Sequence, residues 1–172
     1  MLERRGKMIK YNAEGIGELE IENGVIGAKR GVEINMFHRQ YTIDVLFYIE
    51  RTDEGKIIPI KQPVIEAYHD FFKYINDRIK EAEDAILGYY RSEVKERFEE
   101  GYYEQYTEIT NLEELVEQNK IVLKNVLFGF YNKRKKRVRY GLLFDCEWNI
   151  DDGLGIRYDG NIAEIGTSDV VL

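Results

Sequence analysis

The stretch that decides the fold is Tyr140-Gly-Leu-Leu-Phe-Asp-Cys-Glu-Trp-Asn-Ile-Asp-Asp-Gly-Leu-Gly-Ile-Arg-Tyr-Asp-Gly-Asn-Ile-Ala-Glu-Ile-Gly-Thr-Ser-Asp-Val-Val-Leu172. It reads as a compact β-meander with its turns written in. Leu142, Phe144, Cys146 and Trp148 alternate with Asp145, Glu147 and Asn149, the period of a strand with one dry and one wet face. Shorter strands are predicted at Gly155 to Tyr158, Asn161 to Ile165 and Asp169 to Leu172. Asp152-Gly153, Asp159-Gly160 and Gly166-Thr167 supply the turns between them.

Working outward, Ile121 to Tyr131 and Val138 to Trp148 form a strand pair across the polar tip Asn132 to Arg137. At the other end of the chain, β-like runs cover Gly15 to Glu22, Gly31 to Phe37 and Gln40 to Ile49. Leu19 and Ile21 alternate with Glu18, Glu20 and Glu22, and Asn23-Gly24 marks a tight turn. Between the two sets the period turns helical, with Val64, Tyr68, Phe71, Ile75, Ile79, Ala82, Ile86 and Tyr89 on one stripe of a helix from Pro63 to about Tyr90. Pro63 suits the first turn, where its missing N–H costs nothing. A short helix from Ser92 to Glu99 follows. Another, capped by Thr110 or Asn111, runs to Gln118. The fold class is therefore α+β. One domain spans residues 1–172, its sheet drawn from both chain ends, with residues 1–14 a flexible lead.

Composition narrows the function classes. The chain has 172 residues, 44% of them hydrophobic, which supplies one good core. Its longest apolar runs, such as Val45 to Ile49, are far short of a membrane span of about 20 residues. Met1-Leu2-Glu3-Arg4-Arg5 is not followed by the apolar run of a secretory signal, and the single cysteine excludes an internal disulfide, so a reducing cytoplasm fits. A net charge of −7 repels nucleic acid and attracts basic partners.

Candidate chemistry is sparse. Asp145, Glu147, Asn149 and Asp151 would share one face of an extended strand, a row able to offer oxygen ligands to a hard cation. The calcium-loop pattern fails, however, because Ile150 stands where it needs glycine. Asp159 and Glu164 extend the list of carboxylates without a raised-pKa environment that would make one a general acid. His38 and His69 belong to no metal-ligand spacing, and Cys146 reads as a small core residue with no base beside it. Gly153-Leu154-Gly155 and Gly15-Ile16-Gly17 complete no phosphate-loop motif, and the basic run from Lys133 to Arg137 reads as a solvated hairpin tip. No cofactor is called for.

The phrases Gly141-Leu142-Leu143-Phe144-Asp145-Cys146-Glu147-Trp148, Gly153-Leu154-Gly155-Ile156, Ile165-Gly166 and Asp169-Val170-Val171-Leu172 resemble the end of an uncharacterised bacterial domain family. That family carries a Phe-x-Cys-x-Trp, Gly-Leu-Gly and Gly-x-x-Asp signature. The resemblance runs in order from about Gly15, through Tyr41-Thr42-Ile43 and Leu112-Glu113-Glu114-Leu115. Asp151-Asp152 stands here in place of an acid-histidine pair. What the resemblance implies is a small cytoplasmic binding protein, an immunity protein that occludes a toxin domain. It brings no catalytic residue with it.

The partner-binding candidates are Glu96, Glu99, Glu100, Tyr102, Tyr103, Glu104 and Tyr106, an acidic, tyrosine-bearing segment suited to a basic toxin domain. Two alternatives stand beside this reading. One is a metal-dependent hydrolase using Asp145, Glu147 and Asp151; the other is a structural module that forms homo-oligomers through a sheet edge.

Overall fold

The computed structural model describes residues 8–22, 24–99 and 108–172. Its strands are β1 (Ile9–Ala13), β2 (Gly17–Glu22), β3 (Ile26–Met36), β4 (Arg39–Tyr48), β5 (Val122–Asn132), β6 (Arg137–Asp145), β7 (Leu154–Asp159) and β8 (Asn161–Gly166). Among the described residues they form one sheet in chain order, antiparallel throughout except where β4 and β5 run parallel. Two meanders, one from each end of the chain, meet at that parallel seam. Parallel neighbours cannot be joined by a tight turn. The crossover is helical: α1 (Gln62–Lys73), α2 (Ile75–Tyr89), a π-helical turn (Tyr90–Val94), α3 (Lys95–Glu99) and α4 (Leu112–Gln118). The α+β architecture built from both chain ends is the one the sequence pattern indicates.

Several boundaries differ, each for a local reason. Residues Ile9 to Ala13, expected to belong to a flexible lead, form edge strand β1, paired with β2 through the glycine turn at Gly15 and Gly17. Five residues are too few for alternation to stand out, and only pairing with β2 reveals the strand. β3 begins before Gly31 because that glycine, at φ 68°, sits in a bulge between Lys29 and Val32 and does not end the strand. The long helix is interrupted at Tyr74, whose φ of −111° and ψ of 28° leave the helical region, although the apolar stripe continues across the break.

At the C-terminal end, the strand expected to reach Trp148 stops at Asp145, and Glu147–Asn149 winds into a 3-10 turn. Ser168–Val170 is likewise a 3-10 turn where a last strand was expected.

The core lies between the helices and one face of the sheet. Its centre is an aromatic ladder running across four strands, with Phe47, Phe128, Tyr140 and Tyr158 as register partners. Their rings stack at 5.4, 5.2 and 5.1 Å between successive centroids. Phe71 of α1 presents its edge to Phe128, Tyr140 and Tyr158, the favoured geometry for a ring over a stacked row. The Tyr158 hydroxyl donates to the Arg78 carbonyl oxygen at 2.9 Å, tying β7 to α2. Among the described residues no helix is long and apolar enough to cross a membrane.

Candidate functional site

Among the described residues no α-helix packs on the second face of the sheet, and strand register shows what it presents. One row crosses it through Glu20, Ala28, Leu46, Leu127, Gly141, Arg157 and Glu164. Over β6 to β8 the chain's own end covers this row. A Cβ built on Gly141 would strike the Ile156 carbonyl oxygen and lie 2.7 Å from both Val171 methyls; one on Gly155 would lie 2.8 Å from the Thr167 carbonyl oxygen. Glycine is required at both positions because the tail passes directly over the strands. The glycines and the Gly-x-x-Asp ending thus form a strap and its bed.

At β5 the row is still buried, with Leu127 only 2% exposed, and the face opens over β2 to β4. An open dish of about 370 Å³ lies there, floored by Ile26, Ala28 and Leu46, with Val25 at its rim 60% exposed. Arg30, which projects from the bulge of β3, donates to Glu20 at 2.9 Å, to Asp44 at 2.5 Å and to Glu22 at 3.3 Å. Three carboxylates thus face one guanidinium, and the hydrogen bonds to Asp44 and Glu20 raise the Arg30 pKa further. One register step along, Tyr48 pairs with Ile26 and stacks on Phe130 at 4.9 Å, and Phe130 is 50% exposed. The signal for this patch was present in the sequence: Leu46 and Tyr48 are apolar or aromatic on the phase that Gln40, Thr42 and Asp44 mark as wet.

The partner-binding segment read from the sequence is only partly described. Glu96 lies exposed in α3, and Glu99 closes that helix. Glu100, Tyr102, Tyr103, Glu104 and Tyr106 lie outside the described residues.

The acidic row does not form as an extended strand would place it. Asp145 ends β6 and pairs with Lys124 at 3.2 Å, while Glu147 pairs with Lys120. The Asn149 side-chain oxygen accepts from the Asp152 N–H at 3.3 Å, and Asp151 is exposed. Among the described residues no three His, Cys, Asp or Glu side chains are placed to hold a metal ion. Asp159 pairs with Arg137 and Arg157, and Glu164 with Arg157 at 2.8 Å.

The other singled-out residues have structural places. Cys146 is buried as expected, and burial pushes its thiol up to about 11, away from the thiolate a nucleophile needs. His38 is exposed in the β3–β4 turn at φ 57°, and His69 Nε2 lies 2.6 Å from the Gly15 carbonyl oxygen. The tip after β5 is a turn pinned by the Asn132 side-chain oxygen, which accepts from the Lys135 N–H at 2.9 Å.

No curated protein and no solved structure matches the chain. A family model described as a domain of unknown function, DUF6985, matches residues 15–172. That span begins at the turn between β1 and β2 and takes in the bare dish, the helical crossover and the tail strap. The chain belongs to the DUF6985 family.

Proposed function

We propose that this chain is a protein-binding module of the immunity type, one that captures a basic toxin domain in the bacterial cytoplasm and occludes its working surface. The observation that carries the reading is the half-covered outer face. The tail dresses β6 to β8, whereas β2 to β5 leave Val25 and Phe130 exposed beside an excess of carboxylate. Exposed apolar area rimmed by polar groups is the usual surface of a recognition site. A net charge of −7 would steer a basic partner toward it and speed capture. Co-expression with the product of an adjacent toxin gene tests the proposal: protection of the host and a complex stable in gel filtration are expected. A chain that neither protects nor binds would reject it.

A homo-oligomerising module is the second reading. It is favoured by the outer edge of β1, where Met8 is 51% and Ile9 is 40% exposed. An open strand edge is a template for pairing with another chain. Light scattering over a concentration series separates the two readings, since a strict monomer is incompatible with this one.

The hydrolase alternative would need Asp145, Glu147 and Asp151 to converge, and two of them are instead engaged with separate lysines. Melting with and without divalent cations tests it directly, because native-state binding must raise the transition.

A further inference from the structure

Resting on the binding reading above, we infer that the dish over β2 to β4 receives a lysine or arginine side chain of a basic protein partner. Its aliphatic stem lies on Ala28 and Leu46, its cationic head is taken by Glu20 and Glu22, and an apolar neighbour from the partner sits against Phe130.

Three features on this face agree. The floor is apolar and Ala28 leaves it low, which suits the methylene stem of a long basic side chain. Arg30 faces Glu20, Glu22 and Asp44, and Lys10, the register partner of Glu20, pairs with Glu18 at 2.8 Å, so four carboxylates stand against two cations and the face keeps an excess of two negative charges. Glu22 is the more available of the two acceptors, its side chain 57% exposed and its bond to Arg30 the longest of the three at 3.3 Å. Beside them, the stacked Tyr48 and Phe130 rings offer a rigid aromatic anchor of the kind that dominates binding energy. A guanidinium laid over Phe130 would gain a cation–π contact as well.

Charge also selects the class of occupant. Phosphate-bearing partners, whether nucleic acid or anionic membrane, would meet the carboxylate excess and be repelled. In a two-fold contact between copies, each patch faces itself, so Glu20 and Glu22 would be brought against their own copies. A basic protein meets neither penalty.

The test uses the full chain and a short fluorescein-labelled peptide in which arginine alternates with leucine and phenylalanine, beside a control peptide with glutamate in place of arginine. Polarisation titrations are run on the wild type, the double variant Glu20→Gln/Glu22→Gln, Phe130→Ser and the distant variant Glu96→Gln. Amide shifts of the wild type with peptide map the contact independently of any variant.

The expected result is saturable binding of the arginine peptide alone, weakened about tenfold or more by the double variant and by Phe130→Ser, with shifts confined to β2 through β5. Loss in Glu96→Gln with the dish variants unaffected would leave the binding reading standing and overturn this inference. A wild type that ignores the arginine peptide, or binds both peptides equally, overturns this inference, and co-expression with the toxin decides the binding reading separately. Self-association of the wild type that Phe130→Ser abolishes would make a second copy the occupant and also overturn it.

Discussion

At the scale of single residues, Gly141 and Gly155 show how a glycine can be misread. Gly155 passes for a turn glycine and Gly141 for an ordinary place in a strand, yet both lie inside strands beneath the returning tail. No local pattern reveals this, because Val171 and Thr167 come close only in three dimensions. Gly141→Ala should therefore destabilise the protein by about 1–3 kcal/mol, the usual cost of forcing atoms into a packed site, read as a lower urea midpoint with unchanged slope. A change within experimental error would mean that the tail does not press on β6. Cys146 was legible from its phase on the strand. With its thiol pushed up to about 11 by burial, it should react with a disulfide reagent at pH 8 only once the protein is unfolded. Rapid labelling of the native state would contradict that placement.

At the scale of elements, caps were readable and strand ends were not. Asn111 accepts from the Glu114 N–H at 2.9 Å, and the Glu114 carboxylate accepts from the Thr110 N–H and hydroxyl, both at 2.9 Å. Those hydrogen bonds, the one from the Thr110 backbone first, hold the Glu114 carboxyl below its ordinary value. Everything in this cap lies within five residues, so the pattern Thr110-Asn111-Leu112-Glu113-Glu114 encodes it locally. Asn111→Ala should cost about 1 kcal/mol by thermal or chemical melting, and a neutral effect would remove the cap from the stability account. The acidic row from Asp145 to Asp151 failed for the opposite reason. Alternation places carboxylates on one face only while the chain stays extended, and Glu147 turns into a 3-10 helix that takes Trp148 into the core against Tyr90.

At the scale of the whole molecule, several of the chain's thirteen tyrosines are structural. Tyr140 and Tyr158 complete the ladder, and Tyr41 and Tyr68 pack against the core. Burial raises the pKa of all four, most strongly that of Tyr158. The sign follows from linkage: a phenol that is harder to ionise when folded binds its proton more tightly in the native state. Its contribution is complete below the ordinary tyrosine value of about 10 and is lost as pH rises from there through the raised folded value. Stability should thus fall steeply above about pH 10, and phenolate absorbance should lag behind a freely titrating tyrosine until unfolding. A melting temperature that stays level between pH 9 and 12 would show that these rings titrate freely.

The sequence by itself determined most of the strands and helices, the polar turn between β5 and β6, the cap of α4, the inward phase of Leu142, Phe144 and Cys146, and the acidic balance of charge. All of these depend on residues close in the chain or on simple sums of charge. Only the tertiary structure decided that β4 and β5 run parallel, that the tail crosses β6 and β7 on a bed of glycine, that Val25, Ile26 and Leu46 meet Glu20 and Glu22, and that Tyr48 stacks on Phe130. Those features join residues as far apart as Tyr48 and Phe130. Periodicity fixes which way a side chain points from its own strand, and pairing between strands fixes what stands next to it.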